Sequence, residues 1–547
     1  MSVLEDVAAW GAGLSCEDIP ERVLELARHQ ALSVMGAIGA GAGCAGGKAV
    51  AGAVEGWGGD GPCTTFPGGY PRPFYSAVLQ NCSLSMALDY DDYLFMGHTG
   101  HGAVLVPFAV AQMRGADTRA VLTAQVAANE VAGRLGASVL LGPHNGQMWA
   151  HIHLLGAAAA ASRVLGLDAG RTADAMGIAL AEPVYPLFPG FMGPGSKLLT
   201  AAVPAITGTT AAFLAEKGMT GSRVILEDPQ GFWAHFCFLP LPFMLTGLGS
   251  AWVTDTIAFK PYPGCAYIDT AVDALFGIME EFREEKGRDI DADEVSEVNV
   301  EASLLTIAMD AMSGGYLESS GLSPTVINFS VPVSVAIALL AGELTGAQFK
   351  EEYLSANRDR ILRLAGRIGL RHDASLTVRF MRSLDEVLDL KSVLAELGLK
   401  GLVGARRRLR EHVSRVGKMG AREALAAWKS LGPEDKAYLR SFLALRCFLG
   451  QRPGYDLGER RFEELVMPFG ARVTVRLKDG TFLEAESLIP LGGPGDTMRL
   501  RVPVEKFVRE LQPFLGDERA KAAVDVLLDL ENNSLGRLTE VLSVGGR

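Results

Sequence analysis

The first 220 or so residues of the sequence are a succession of alanine-rich helical segments, and this pattern limits the fold more than any other feature. The earliest segment starts after Asp18 and Pro20 and carries apolar residues on a helical repeat through residues 23–40. Similar segments follow, joined by short glycine-containing connections, at 83–88, 103–113, 118–136, 154–165, 172–180 and 205–217. Because alanine and glycine let helices approach closely, we expect residues 1–268 to form an all-helical domain that residues 505–547 complete.

The composition of the segments changes after about residue 270. Charged helical segments such as 273–286 alternate with β-rich pieces at 295–302 and 376–380. This alternation predicts a second, α+β domain over residues 269–504. The predicted fold class is therefore mainly α, with a large all-helical domain and a smaller α+β domain.

The clearest hairpin in this second part is ARVTVRLKDGTFLEAES, residues 471–487. Alternating apolar residues precede an Asp479-Gly480 pair, which is typical of a tight turn. An extra helical, charge-rich segment is expected near 385–465, with a helix start near Pro433. Its arginine cluster at 406–410 is typical of a solvated, salt-bridged helix face rather than of a binding site.

Charge and cysteine usage exclude several classes of protein. The chain carries 51 basic and 63 acidic side chains, and the net charge of -12 opposes binding to a phosphate backbone. Its seven cysteines are scattered without a CxxC pair, which indicates free thiols in a reducing, cytoplasmic compartment. The acidic N-terminal segment lacks the pattern of a signal peptide. Two uncharged stretches, 31–47 and 198–215, are interrupted by Gly, Ser, Thr or Pro, which favours core helices over membrane spans.

The densest group of reactive side chains lies in SMALDYDDYLFMGHTGHGAVLVP, residues 85–107. Within about a dozen residues before an apolar helix, this stretch holds three aspartates and two histidines: Asp89, Asp91, Asp92, His98 and His101. Aspartates alone here are typical of a solvated helix terminus, but the adjacent histidines favour a catalytic function. Imidazoles act as acid or base near neutral pH, and the N–H groups of the following helix attract a carboxylate. The stretch therefore predicts acid–base chemistry on an anionic small molecule.

This stretch resembles the signature of the MmgE/PrpD family, in which a Leu-Asp-aromatic-Asp-Asp element leads through a histidine loop into a Gly-Ala-Val helix. Further matches occur in family order over most of the chain: NEVAGRLG at 129–136, GAAAAASRVLGLD at 156–168, GSKLL at 195–199, KPYPGC at 260–265 and SPTVINFSVPVSVAIALLAGELTG at 323–346. Each motif alone is weak, whereas the ordered set is specific. The family includes 2-methylcitrate dehydratase, cis-aconitate decarboxylase and an iminodisuccinate epimerase, so the resemblance implies a helical domain closed by an α+β lid.

The resemblance also implies an activity and a set of site residues. The expected activity is that of a homodimeric, cofactor-independent lyase, of dehydratase or decarboxylase type, that takes an α-proton from a small polycarboxylic or 2-hydroxy acid. Such a reaction requires a base, an acid and cations that hold the negative charges. The predicted catalytic residues are Asp89, His98, His101 and Tyr93. The predicted substrate-binding residues are Lys197, Lys260, Thr99 and Cys265, and no metal ligand, cofactor, nucleic acid or membrane is expected.

The sequence departs from the family pattern at several of these positions. Tyr93 stands where the family usually has Thr, Met86 where it often has His, and Thr99 at the ungapped position of the loop histidine. After Lys260, residues 265–269 read Cys-Ala-Tyr-Ile-Asp, where the family often has Cys-Arg-x-Thr-His. These changes predict a substrate with fewer or differently placed carboxylates than methylcitrate.

Three other functions fit the same residues. An epimerase or isomerase would use the same proton abstraction without a leaving group. A noncatalytic carboxylate-binding protein would tolerate the missing Arg and His. A metal-dependent hydrolase would combine Asp89 with four histidines, His98, His101, His151 and His153, if the WAHIH segment is a strand with its histidines on one side. Next to an alanine-rich helix, the latter two histidines are more often packing residues.

Overall fold

The structure of the protein is a computed structural model. It describes residues 2–95, 97–142, 147–320, 322–398, 403–404, 406, 421–443 and 454–544. The chain divides into two compact units: the first comprises Met1–Lys260, Asp456–Glu463 and Leu500–Arg547, and the second comprises Pro261–Tyr455 and Glu464–Arg499. Helices dominate the described residues and the strands are few and short, so the predicted mainly α class is confirmed.

The described elements are as follows in chain order. The α-helices are α1 (Val3–Gly13), α2 (Glu21–Ala42), α3 (Ala45–Trp57), α4 (Phe74–Met86), α5 (Gly100–Arg114), α6 (Thr118–Ser138), α7 (Gln147–Val164), α8 (Ala169–Ala181), α9 (Phe188–Met192), α10 (Leu199–Glu216), α11 (Phe232–Phe236), α12 (Asp269–Lys286), α13 (Leu304–Ser320), α14 (Pro324–Ile327), α15 (Val331–Ala341), α16 (Glu351–Ala365), α17 (Ala374–Leu388), α18 (Ala421–Ser430), α19 (Pro433–Leu443), α20 (Arg501–Leu515), α21 (Asp517–Leu528) and α22 (Leu535–Leu542). The strands are β1 (Cys63–Thr65), β2 (Tyr70–Arg72), β3 (Asp92–Tyr93), β4 (Ala258–Phe259), β5 (Val295–Ala302), β6 (Ile368–His372), β7 (Ala471–Leu477) and β8 (Phe482–Ser487).

Helix α2 lies at the centre of the first unit. Every residue of α2 from Leu26 to Gly41 is buried, and the helix packs against α4 and against the late helix α20. A second layer is formed by α7, which packs against α6 and α10. Small residues make this packing close: a Cβ added at Gly208 of α10 would lie 2.1 Å from the carbonyl oxygen of Leu154 in α7. Small residues therefore lie where these helices contact each other and allow their backbones to approach closely.

Helix α10 and the short turn before it, Gly195–Glu216, are long and apolar enough to cross a membrane by length and composition. However, 61% of the most apolar window is buried inside the protein, as in a core helix. The other uncharged stretch, 31–47, includes the end of α2 and the start of α3, where the chain bends by 90°. The bend falls at residues 43–44, between two helices that are each part of the first unit.

Two small strand pairs interrupt the helices of the first unit. Strands β1 and β2 form a hairpin, and β3 pairs antiparallel with β4. In the second pair Asp92 lies opposite Phe259 and Tyr93 lies opposite Ala258. Because Lys260 follows β4 directly, this register places Lys260 next to residue 91.

The second unit contains a four-stranded sheet with the order β6-β5-β7-β8. Strands β5 and β6 are parallel, whereas β5–β7 and β7–β8 are antiparallel. Val473 and Val475 are fully buried on one face of β7, and α12 packs against β7 and β8. The turn between β7 and β8 contains Gly480 with a φ of 93°, so the hairpin predicted from its Asp-Gly pair is confirmed.

The strand predicted at 376–380 is wrong, because these residues lie in helix α17. The side chain of Asp373 accepts a hydrogen bond from the backbone N–H of Ser375 and caps the helix. The buried residues Leu376, Ser383 and Val387 recur at helical spacing, and this longer repeat outweighs the short alternation. In the predicted segment 385–465, α19 begins at Pro433 as expected, while residues 407–410 of the arginine cluster lie outside the described residues.

Candidate active site

The first unit places three aspartates on one turn between α4 and α5, residues 89–92, which we call the acid turn. Asp89 has a φ of 48°, in the left-handed region, which aspartate tolerates better than most residues. The chain then enters β3 and returns to α5 at Gly100. A Cβ at Gly100 would lie 2.0 Å from Asp92 Oδ1, so only glycine fits at this helix start without displacing the acid turn.

Two buried lysines hold the acid turn from two other segments. Lys197, in a short 3-10 turn before α10, donates to Asp89 Oδ2. Lys260 donates to the carbonyl oxygen of Asp89 at 2.5 Å and lies 3.4 Å from Asp91 Oδ1. Their exposed fractions are 1% and 0%. The structure therefore brings together Asp89, Lys197 and Lys260, which the motifs had singled out. The two lysines were predicted to bind substrate, whereas here they are paired with aspartates.

Asp91 lies between the two predicted catalytic histidines. His98 Nδ1 is 3.2 Å from Asp91 Oδ2, and His101 Nε2 is 3.0 Å from the same oxygen. His101 Nδ1 lies 2.8 Å from Ser85 Oγ, so both of its nitrogens face protein groups. The side chain of His101 is fully buried, whereas 16% of the His98 side chain is exposed. Of the two imidazoles, His98 is therefore the one that solvent or a small molecule reaches.

Burial and charge separate the three carboxyl groups. Burial by itself raises the pKa of Asp89, but the charges of Lys197 and Lys260 outweigh it and hold this pKa below its usual value. The pKa of Asp91 lies well below its usual value because His101 and Lys260 overcome the same effect of burial. In contrast, burial and then the negative charge of Asp91 raise the pKa of Asp92 to about 7. The acid turn therefore holds two carboxylates and one group that titrates near neutral pH.

The pKa of His98 is lowered, first by burial and then by the charge of Lys260. The negative charge of Asp91 raises the pKa of His98 and offsets part of this lowering. Since a carboxylate only accepts hydrogen bonds, His98 Nδ1 carries the proton that faces Asp91. The lone pair of the neutral ring is then on Nε2.

The remaining predicted residues have different surroundings. Tyr93 is buried in β3, with its ring centre 6.3 Å from that of His98. The Thr99 hydroxyl donates to Asn129 at 2.6 Å and accepts from Gln30, in a buried amide network. Cys265 belongs to the second unit, is buried, and its backbone N–H donates to the carbonyl of Asn328. Five of the described cysteines are free thiols: Cys16, Cys44, Cys63, Cys82 and Cys237.

The WAHIH segment lies in helix α7, so its interpretation as a strand is wrong. Two residues apart on a helix, His151 and His153 point about 200° apart around the axis. His151 packs against two phenylalanine rings, at centroid distances of 4.8 and 4.5 Å. The His153 ring lies 5.3 Å from that of His101, and burial followed by the charge of His101 lowers the pKa of His153 well below its usual value. Within the described ranges, no group of three or more His, Cys, Asp or Glu residues is arranged to hold a metal ion.

A third lysine at the acid turn was missed from the sequence. Lys506 of α20 is fully buried, and its ammonium donates to the carbonyl oxygens of Tyr90 and Asp91 at 2.6 and 3.2 Å. The sequence does contain a signal. Lys506 lies on the helix face of Val502, Pro503 and Phe507, where a charged residue is unusual.

The fold and this cluster define a mainly helical protein whose first unit is built around a buried lysine–aspartate–histidine site. Sequence comparison is consistent with this class: the MmgE/PrpD N-terminal domain profile matches residues 5–240, and the MmgE/PrpD C-terminal domain profile matches residues 262–408. The chain belongs to the MmgE/PrpD family.

Several curated relatives carry an activity in their names. A cis-aconitate decarboxylase of Aspergillus terreus is 23% identical over 389 residues, which cover 67% of this chain and 77% of that protein. A cis-aconitate decarboxylase-like protein of Aspergillus oryzae is 27% identical over 282 residues, or 47% of this chain and 58% of that protein. The human cis-aconitate decarboxylase is 34% identical over 112 residues, which cover 20% of this chain and 23% of that protein. These relatives are lyases, which supports a lyase-type function for this chain.

Proposed function

We propose that this protein is a cofactor-independent lyase, of dehydratase or decarboxylase type, that acts on a small polycarboxylic or 2-hydroxy acid by α-proton abstraction. The observation that carries the proposal is the pair formed by His98 and Asp91. The imidazole is partly exposed, and the buried carboxylate next to its Nδ1 holds it in one tautomer. A lowered pKa keeps the ring neutral near pH 7, as a base requires.

In this proposal His98 Nε2 takes the proton from the carbon next to a substrate carboxylate. The electron pair of the broken C–H bond then forms a carbon–carbon double bond, while a hydroxide leaves with a proton from an acid. In the decarboxylase variant, His98 Nε2 takes the α-proton of an unsaturated acid and returns it to a different carbon, so that the double bond moves. The C–C bond to a carboxylate then breaks, carbon dioxide leaves, and the resulting carbanion takes a proton from water. Both routes develop negative charge, which the ammonium groups of Lys197 and Lys260 stabilise. The charged Asp89 orients Lys197, and His101 holds Asp91 from the other side.

The relatives support the same class of reaction, because their names state a decarboxylation of a tricarboxylic acid. Because their identity is low and this chain departs from the family at Tyr93, Thr99 and residues 265–269, we propose a substrate other than methylcitrate, with fewer or differently placed carboxylates. The homodimer, the cytoplasmic location and the roles of the individual site residues stay predictions.

The proposal is tested by incubating the protein in deuterated water with a panel of di- and tricarboxylic and 2-hydroxy acids, followed by NMR. We expect at least one acid to give an unsaturated or decarboxylated product, and the His98→Asn variant to lose this activity. His235→Asn is the matched control, since His235 is exposed and outside the acid turn. Deuterium incorporation with inverted stereochemistry and no elimination would instead identify an epimerase. Binding of an acid without exchange or turnover would identify a noncatalytic carboxylate-binding protein and refute the proposal.

A further inference from the structure

Lys506 contacts the acid turn from a part of the chain that neither family profile covers, since the matches end at residues 240 and 408. Its ammonium lies within hydrogen-bond distance of four oxygens: Ser33 Oγ at 2.6 Å, Tyr90 O at 2.6 Å, Asp91 O at 3.2 Å and Lys260 O at 3.5 Å. One side chain of α20 thereby joins α2, the acid turn and the residue after β4.

Lysines hold three consecutive carbonyl oxygens of the acid turn. Lys260 donates a hydrogen bond to the carbonyl oxygen of Asp89, and Lys506 donates to those of Tyr90 and Asp91. Three residues further along α20, on the same helix face, Arg509 donates to the Tyr90 hydroxyl. The Lys506 ammonium also lies 4.7 Å from the centre of the Tyr90 ring. Helix α20 therefore contacts both the backbone and the side chain of Tyr90, the second residue of the acid turn.

The surroundings of Lys506 fit a fixed position better than a role in binding substrate. The residue is fully buried, and its ammonium is surrounded by four protein oxygens, none of which belongs to a side-chain carboxylate. Its shaft lies against α2 at a glycine: a Cβ at Gly36 would be 3.2 Å from Lys506 Cγ. A buried ammonium is expensive to desolvate, and an apolar residue would fill this space more favourably if packing were its only purpose.

We propose that Lys506 is a positioning residue that fixes the acid turn, and that it keeps the Asp91 carboxylate in contact with His98 and His101. Its effect on turnover rests on the proposed function, whereas its effect on the acid turn does not. The four oxygens around its ammonium belong to three segments of the chain, and α20 contacts both the carbonyl and the hydroxyl of Tyr90. Lys506 acts through the acid turn and does not touch the reacting atoms.

The test compares two variants of the full-length protein that change the same helix. Lys506→Met keeps the length of the shaft and removes the ammonium. Leu511→Ala makes a cavity in the core cluster five residues further along α20 and serves as the control for lost stability. Hydrogen exchange is followed by mass spectrometry on peptides covering residues 87–95, in the absence of any ligand. We expect exchange there to rise about 10-fold or more in Lys506→Met but not in Leu511→Ala.

Steady-state kinetics with an acid that the wild type converts give the second measurement. Because misplacing a catalytic group by about 1 Å costs roughly 100-fold, Lys506→Met is expected to lower kcat by that factor with little change in KM. Leu511→Ala is expected to keep its kcat at a temperature where it is folded. This split between the two variants separates positioning from general stability.

Equal exchange of residues 87–95 in both variants would overturn the proposal, as would a Lys506→Met variant with unchanged exchange and kcat. If the wild type converts no acid in the panel, that result counts against the proposed function alone, because the exchange comparison needs no substrate. If Lys506→Met does not accumulate as a folded protein, Lys506→Gln replaces it, since the amide is uncharged and shorter but still donates hydrogen bonds in a buried polar site. Faster exchange of 87–95 in Lys506→Gln than in Leu511→Ala would support the proposal, and equal exchange would refute it.

Discussion

Replacing Asp92 with asparagine is expected to stabilise the protein relative to the wild type as the pH rises. Asp92 is fully buried, and its Oδ2 accepts a hydrogen bond from Gln30 at 2.8 Å. Burial and the charge of Asp91 raise its pKa from 3.8 to about 7. Between these two values the folded protein keeps a proton that the unfolded chain releases. The contribution of Asp92 to stability is therefore fully present below about pH 4 and is lost as the pH rises through about 7.

The size of the effect follows from the same shift. The difference between 7 and 3.8 is 3.2 units, and each unit corresponds to about 1.36 kcal/mol, which gives about 4 kcal/mol over the whole range. Roughly 3 kcal/mol of this falls between pH 5 and pH 8. Urea unfolding of the wild type and of Asp92→Asn at these two pH values measures it, with the exposed Asp60→Asn as a control for the change of residue type. A difference in unfolding free energy between the wild type and Asp92→Asn that is the same at both pH values would refute the reasoning.

Three further perturbations test the site. The pKa of His98 is lowered by burial, so kcat/KM should fall with acidification only below about pH 6.5, and an acid limb above that value would contradict the assignment of the base. Lys197→Met should lower the unfolding free energy by about 3–5 kcal/mol, because it leaves Asp89 charged and buried. The double variant Lys197→Met/Asp89→Asn should regain much of the lost unfolding free energy in urea but no turnover. If the single and the double variant lose the same unfolding free energy, the ion pair does not account for the stability. Gly100→Ala should place a Cβ against the Asp92 carboxylate and lower the unfolding free energy by more than about 1 kcal/mol. An unchanged thermal unfolding temperature would show that the acid turn can shift without losing stability.

The sequence predicts features that repeat over many residues or follow a fixed turn chemistry. The alanine-rich helices and the Asp479-Gly480 hairpin are in this class, because periodicity and a left-handed glycine determine them locally. The resemblance predicted that Lys197, Lys260 and Asp89 belong to one site, but it did not predict that both lysines donate to Asp89. No local pattern predicts such a contact.

Other features depend on tertiary contacts that the sequence does not display. The burial of His101 follows from Ser85 and Asp91 on either side of its ring, whereas His98, three residues earlier, stays partly exposed. Residues 376–380 alternate like a strand, but they lie inside a longer helical repeat that an aspartate caps. Lys506 was missed because a single charge on an apolar helix face has no meaning until its partners are known.

The link between Lys506 and Ser33 joins residues that are 473 positions apart. During synthesis, the ribosome must therefore complete the second unit before Lys506 and Arg509, the partners of the acid turn on α20, exist. Until then, helix α2 and the turn lack the side chain that donates to both of them. We therefore expect a chain that ends between residues 261 and 505 to lack a working site, although it keeps Asp89, His98, Lys197 and Lys260.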